Sequence, residues 1–205
     1  MKTSAIPALS LMLLAGCSQP PLLSLADRVC DTAPRLMPGN EVSLGRGGSS
    51  TVIMDAASPC VETPAGRASY IVFALPADNS PYQITVRSHP RGGALISPEA
   101  TIYGADDRPR REIGGFRGAA GTLVASTTGE PGDRYVVVTS TPDTIGVPRN
   151  VPTAGNPPPI RLAATIVVPI IMPASPAGPT TDIISAILAH SGAITVSANP
   201  FITLP

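Results

Sequence analysis

The sequence predicts a mainly β protein, an antiparallel β-sandwich with a proline-rich C-terminal extension that carries one short helix. Three observations point there. The 205 residues include 25 Pro and 19 Gly and no Trp, a composition that interrupts long helices and supplies turns. Runs rich in Val, Ile, Thr and Tyr recur every ~10–15 residues between Gly66 and Gly146, with turn residues between them. No amphipathic helical period interrupts that series. At 43% hydrophobic the chain is too apolar to be wholly disordered. Its 14 basic and 14 acidic residues cancel, which argues against a long basic nucleic-acid surface.

In chain order, residues 1–16 carry one charge at Lys2, an apolar run from Ala5 to Leu14, and then Leu14-Ala15-Gly16-Cys17. This reads as a secretory signal ending in a lipobox. The run is too short for the ~20 residues that a membrane span requires. In bacterial lipoproteins such a cysteine is acylated and becomes the first residue of the mature chain, so Cys17 is the expected lipidation site. Two or three acyl chains make attachment effectively permanent. Ser18 stands where an aspartate would favour inner-membrane retention, so the expected address is the outer membrane, facing the periplasm. Residues 17–29 then form a tether, 30–146 the sandwich, and 147–205 an apolar, proline-rich segment packed on it.

With Cys17 assigned to lipid, Cys30 and Cys60 remain as an expected disulfide in an oxidising compartment. Closing a loop of about 30 residues stabilises a fold by roughly 3–4 kcal/mol in the chain-entropy model. Two cysteines without a nearby histidine fall short of a tetrahedral metal site. From Asn40 to Asp55, two apolar runs flank Gly45-Arg46-Gly47-Gly48, which reads as two strands around a glycine turn. The Lys-Ser/Thr of a phosphate-binding loop is missing.

Ser69–Leu75 and Tyr82–Ser88 are the clearest strands, separated by the turn residues Ala77-Asp78-Asn79-Ser80-Pro81. Ala100–Tyr103 and Arg110–Ile113 flank a polar turn at Asp106-Asp107-Arg108-Pro109. Gly121–Ala125 and Arg134–Ser140 follow. Beyond Gly146 the only charges are Arg149, Arg161 and Asp182. Asn156-Pro157-Pro158-Pro159 reads as a stiff joint, and Ile160–Val168 as a strand. Apolar residues at 183, 184, 187 and 188 suggest a helix from Thr181 to His190, stopped by Ser191-Gly192. Ala193–Ser197 is a final strand expected at the sandwich edge.

The succession Tyr70–Pro76, Tyr82–Ser88, Ser97–Tyr103 and Arg134–Thr139 resembles the core of the MalM family, periplasmic proteins encoded with maltose-uptake genes in enteric bacteria. The likeness spans roughly residues 69–146. Similar strand-and-turn pieces occur in other secreted sandwiches, pre-peptidase C-terminal domains among them. Where the family pattern leads one to expect an aspartate after Tyr103, this chain has Gly104, with Asp106 and Asp107 a little later. The resemblance implies a link to maltose or maltodextrin uptake and supplies no catalytic residue.

Catalytic candidates are sparse. His89 sits between Ser88 and Pro90, and His190 precedes Ser191, with no G-x-S-x-G elbow. His190 at a helix end would bond terminal carbonyls. Asp106, Asp107, Glu99 and Glu112 offer hard oxygens to a calcium ion, but Arg108, Arg110 and Arg111 in the same turn favour a solvated hairpin tip. A basic patch of Arg108, Arg110, Arg111 and Arg117 is weakened by the interleaved acids. The seven aromatics mostly fall within strand patterns, where core packing is the default. The expected protein is therefore a non-enzymatic, lipid-anchored periplasmic module for binding or assembly, requiring no metal or other cofactor. The alternative is a structural subunit of an envelope complex, its apolar tail binding a protein partner.

Overall fold

The computed structural model describes residues 22–37, 39–45, 48–78, 80–153 and 183–201. The lipobox with Cys17, the Asn156–Pro159 joint and the strand expected at 160–168 lie outside them. Among the described residues the chain forms strands β1 (Asn40–Glu41), β2 (Ser49–Met54), β3 (Cys60–Thr63), β4 (Gly66–Ala74) and β5 (Tyr82–His89). There follow β6 (Ala94–Leu95), β7 (Pro98–Gly104), β8 (Pro109–Ile113), β9 (Arg117–Ala119) and β10 (Thr122–Gly129). The last are β11 (Asp133–Ser140), β12 (Pro148–Pro152), β13 (Ile183–Leu188) and β14 (Gly192–Pro200), with one 3₁₀ turn at Pro142–Thr144.

Two sheets make the sandwich. One runs β1-β4-β11-β7-β8, with β3 also on β4; the other runs β2-β14-β5-β10-β9. A third, small sheet, β12-β13-β6, closes one end. Most pairings are antiparallel; β1 with β4 and β13 with β6 are parallel.

Period-two patterning explains which side chains meet between the sheets. Ile71 and Phe73 of β4, Val136 and Val138 of β11 and Ile102 of β7 face Ile84 and Val86 of β5 and Ile194 and Val196 of β14 in one cluster. The β4 run SYIVFA is apolar on both faces because both are covered. Its outward Tyr70 and Val72, with Val137 of β11, pack under Leu36 of the N-terminal segment. That segment is held by the Cys30–Cys60 disulfide, whose Cα atoms are 4.8 Å apart. An Asp31–Val61 bridge and hydrogen bonds from the Arg67 guanidinium to the Leu25 and Ala26 carbonyls hold it as well.

Two glycines are required by close approach. A Cβ on Gly129 would fall 2.6 Å from the ring of Tyr82, its register partner, so the glycine leaves the space that the buried ring fills. On Gly48 a Cβ would overlap the Ser43 carbonyl at 2.0 Å.

Three local expectations are corrected. The apolar spacing at 183–188 belongs to a strand, not a helix: β13 is paired on both sides, by β12 and β6. Ala186 and Leu188 supply a period-two buried face with Leu95, Leu123 and Val151, and the pairing overrides a helical period read from the isoleucines. β1 and β2 do not pair with each other: β1 lies beside β4 in one sheet and β2 beside β14 in the other, and Leu44 already bridges Ala198 of β14. Finally, β14 is not an edge strand. It is inserted between β2 and β5, in register from Ala193↔His89 to Pro200↔Tyr82 on one side and from Gly192↔Met54 to Ser197↔Ser49 on the other.

Candidate binding cleft

The edge of β4 is covered by two different strands with a gap between them. β3 pairs with Gly66–Ser69 and β1 with Phe73–Ala74, leaving Tyr70, Ile71 and Val72 without a register partner on that side. A cleft of about 390 Å³ opens there. Ile71, Val72, Val52, Pro59 and Met37 give it an apolar lining, and Arg35, Asn40, Ser58 and Tyr70 contribute polar atoms. A mostly apolar concavity with a few convergent polar groups is the usual form of a small-ligand site.

Each polar group is positioned by the fold. The Tyr70 hydroxyl accepts from the Arg35 backbone N–H at 3.0 Å and donates to Asp31 Oδ2 at 3.3 Å. Arg35 Nη2 pairs with Asp31 Oδ1 at 2.6 Å. Asn40 Nδ2 donates to the Val72 carbonyl at 2.9 Å, occupying an acceptor on the interrupted edge. Burial pushes the Tyr70 phenol above its ordinary pKa, so it stays a protonated donor at neutral pH. Because Asp31 follows Cys30, the disulfide also orients one wall of the cleft. The cleft was not legible in the sequence, since Arg35, Asn40, Ser58 and Tyr70 form no motif.

The sequence candidates are dispersed. Cys30 and Cys60 are joined as expected; Cys17 lies outside the described residues. His190 sits on no helix end. It is buried, and its Nδ1 is 2.7 Å from the Ser140 hydroxyl, not from Ser191. Ser140 is itself 1% exposed and accepts from the Ser69 N–H at 3.0 Å. A catalytic serine bonds the imidazole nitrogen opposite the one that a carboxylate orients, and must reach substrate; Ser140 does neither here. Burial lowers the pKa of His190. His89 is lowered by burial and by Arg87, and its Nε2 bonds Thr195 Oγ1 at 3.0 Å.

Among the described residues no group of three or more His, Cys, Asp or Glu side chains converges as a metal site. Asp106 and Asp107 are exposed at the β7–β8 hairpin tip, where Asp106 faces Arg108 at 4.0 Å. The four arginines of the proposed patch separate. Arg110 and Arg111 turn onto the buried carboxylate of Asp133, with Arg110 Nη1 and Arg111 Nη1 at 3.1 and 2.9 Å from Oδ1 and Arg111 Nη2 on Oδ2. Arg117 lies in the other sheet. Of the aromatics, Tyr70, Phe73 and Tyr82 are buried. Burial pushes the Tyr82 pKa up to about 12, with Asp133 adding to the shift. Tyr103 and Tyr135 are half-buried register partners on the outer face.

No family model matches the chain, and no curated protein matches it. Among solved structures, the crystal structure of the pre-peptidase C-terminal domain of a collagenase from Bacillus anthracis is similar at 9% identity and a TM-score of 0.35. The match covers 81% of this chain and 99% of that one.

Proposed function

We propose that this protein is a lipoprotein anchored through acylated Cys17 in the outer membrane, its β-sandwich facing the periplasm as a non-catalytic binding or assembly module. The cleft at the interrupted β4 edge carries the reading, because it offers an apolar floor beside the Arg35 guanidinium, the Asn40 amide and the Tyr70 hydroxyl. The resemblance to the MalM family directs this site toward a maltodextrin. The sugar's apolar ring faces would lie on Met37 and Pro59, and its hydroxyls would meet the polar groups.

Calorimetric titration of maltooligosaccharides into the mature chain carrying Cys17→Ser tests the binding step. Saturable heat that Arg35→Ala and Asn40→Ala reduce is the expected result; no heat with the wild-type cleft sinks the carbohydrate reading. The anchor is tested separately. Cys17→Ser should abolish acyl labelling and block lipoprotein processing, since thioether formation needs the sulfur, and an unchanged mature mass and membrane fractionation would refute it.

A second reading is a subunit of an envelope complex. Exposed Ile183 and Ile184 on β13, together with Val147, favour it. Co-purification with one envelope protein, lost in Ile183→Ser/Ile184→Ser, would select this reading over the first.

A further inference from the structure

Among the described residues the sheet edges are guarded in every place but one. β8 carries Pro109, Arg110, Arg111 and Glu112, and β12 carries Pro148, Arg149 and Pro152. Beside β9, Pro152 of β12 lies so close that a Cβ on Gly118 would meet its ring at 3.0 Å. β3 is bonded on its far side by Asp31, and β1 and β6 have two residues each. Charge, proline, cover and brevity are the devices that keep a sheet edge from pairing with another chain. β2 has none of them. It is six residues long, reads Ser-Ser-Thr-Val-Ile-Met, and ends its sheet with β14 on one side and no strand on the other.

Two contacts fix which backbone groups that edge presents. The Ala198 N–H donates to the Gly48 carbonyl at 3.2 Å, which turns Gly48, and by alternation Ser50, Val52 and Met54, toward β14. Thr51 and Thr195, directly opposite each other, bring their Oγ1 atoms to 2.8 Å, the closer approach of a pair that exchanges no backbone hydrogen bonds. The N–H and C=O groups of Ser49, Thr51 and Ile53 therefore point away from β14, and no described residue bonds them. All three residues are exposed. The next N–H in the series, that of Asp55, is taken by Ser58 Oγ at 2.9 Å. The free stretch thus runs from Ser49 to Ile53 and is centred on Thr51.

That centring suits a two-fold axis. With the axis at Thr51, antiparallel pairing sets Thr51 against Thr51 and Ser49 against Ile53 of a second copy, and about six N–H···O bonds take up every outward group of both edges. No like charges meet, since the strand holds none and the two Asp55 side chains, the first charges past it, fall at opposite ends of the paired stretch. Room for the added strand comes from the other sheet: Val52 lines the cleft together with Tyr70, Ile71 and Val72, where the β4 edge is uncovered. The pairing sets Ser50 of the second copy opposite Val52, at the mouth of that cleft. A peptide of another protein would meet the same groups but has no need of the symmetric centring.

We propose that two copies of this chain pair edge to edge through β2, about a two-fold axis at Thr51, and join their five-stranded sheets into one continuous sheet. This goes beyond the reading of the cleft and stands whether or not the cleft takes a sugar.

The test follows the full mature chain with Cys17→Ser by sedimentation velocity. One strand pairing buries little area and belongs to the weak class of interface, so the dimer should appear between about 10 and about 500 µM. Thr51→Lys sets like charges face to face at the axis and should raise the dissociation constant by at least about tenfold, as should Thr51→Glu. Mixing the two variants should restore the dimer, with circular dichroism and melting temperature checking that each is folded. Thr51→Cys should cross-link to itself on oxidation, because residues facing each other in such a pair lie about 5.5 Å apart. Ile53→Cys, which faces Ser49, should not; with Cys30 and Cys60 joined, the new thiol has no other partner in its own chain. Amide exchange at Thr51 and Ile53 should be fast in the monomer and slow in the dimer. A monomer throughout that range, a dimer that folded Thr51→Lys leaves unchanged or that mixing fails to restore, a Thr51→Cys chain that does not cross-link, or amides already protected in the monomer by another part of the chain would each overturn the proposal.

Discussion

The Ser140 hydroxyl lies 2.7 Å from Nδ1 of His190, and through this pair β11 of one sheet is tied to the turn between β13 and β14. Both residues are buried. An unfolded histidine titrates near 6.5, whereas burial holds His190 lower in the folded chain. Below about pH 6.5 the unfolded state therefore binds a proton that the native state resists, and stability falls with pH until the folded pKa is passed. His89, also lowered, adds to the same trend. The melting temperature should be flat from about pH 7 to 8 and drop toward pH 5. His190→Gln should show a shallower drop, with the remainder due to His89. A slope identical to wild type would show that His190 does not titrate as argued.

Asp133 is wholly buried and receives Arg110, Arg111 and the Glu130 N–H at 2.8 Å. Asp133→Asn removes the charge and leaves both guanidiniums without their shared carboxylate. A loss of about 3 kcal/mol is expected, the lower end for breaking a buried pair, because both arginines keep some solvent contact. Urea unfolding measures it; a change within ~0.5 kcal/mol, the range of ordinary surface substitutions, contradicts the structural role.

Reduction of the Cys30–Cys60 bond, or replacement of both cysteines by serine, should lower stability by about 3–4 kcal/mol through the freed loop. Non-reducing peptide mapping should show the two peptides linked. Cleavage by protease within residues 22–37 should rise after reduction, since that bond holds the segment over Tyr70 and Val72. Equal stability and equal protease resistance in both redox states would count against it.

Truncation after Gly146 removes β12, β13 and β14. Because β14 pairs with both β2 and β5, its loss splits the five-stranded sheet and uncovers Ile84, Val86 and Met54. The truncated chain should bind a hydrophobic dye, lose cooperative melting and aggregate. A soluble, cooperatively melting fragment would mean that the first strands close the sheet unaided.

The strand cores at Ser69–Leu75, Tyr82–Ser88, Ala100–Tyr103 and Arg134–Ser140 were legible because alternation and β-branched content are local properties, present before the chain folds. So were the Cys30–Cys60 pair and the hairpin tip at Asp106. Order and partnership were not. Residues 183–188 satisfy a helical spacing and a strand spacing alike, and only pairing with β6 and β12 selects the strand. Nothing local to Asp133 marks it as buried; the return of β8 beside it places it under two arginines. The β4 edge gap and the Ser140–His190 bond likewise depend on which distant strands become neighbours. Local period is encoded along the chain, whereas burial and charge pairing follow from strand order in three dimensions, settled by the whole set of long-range contacts.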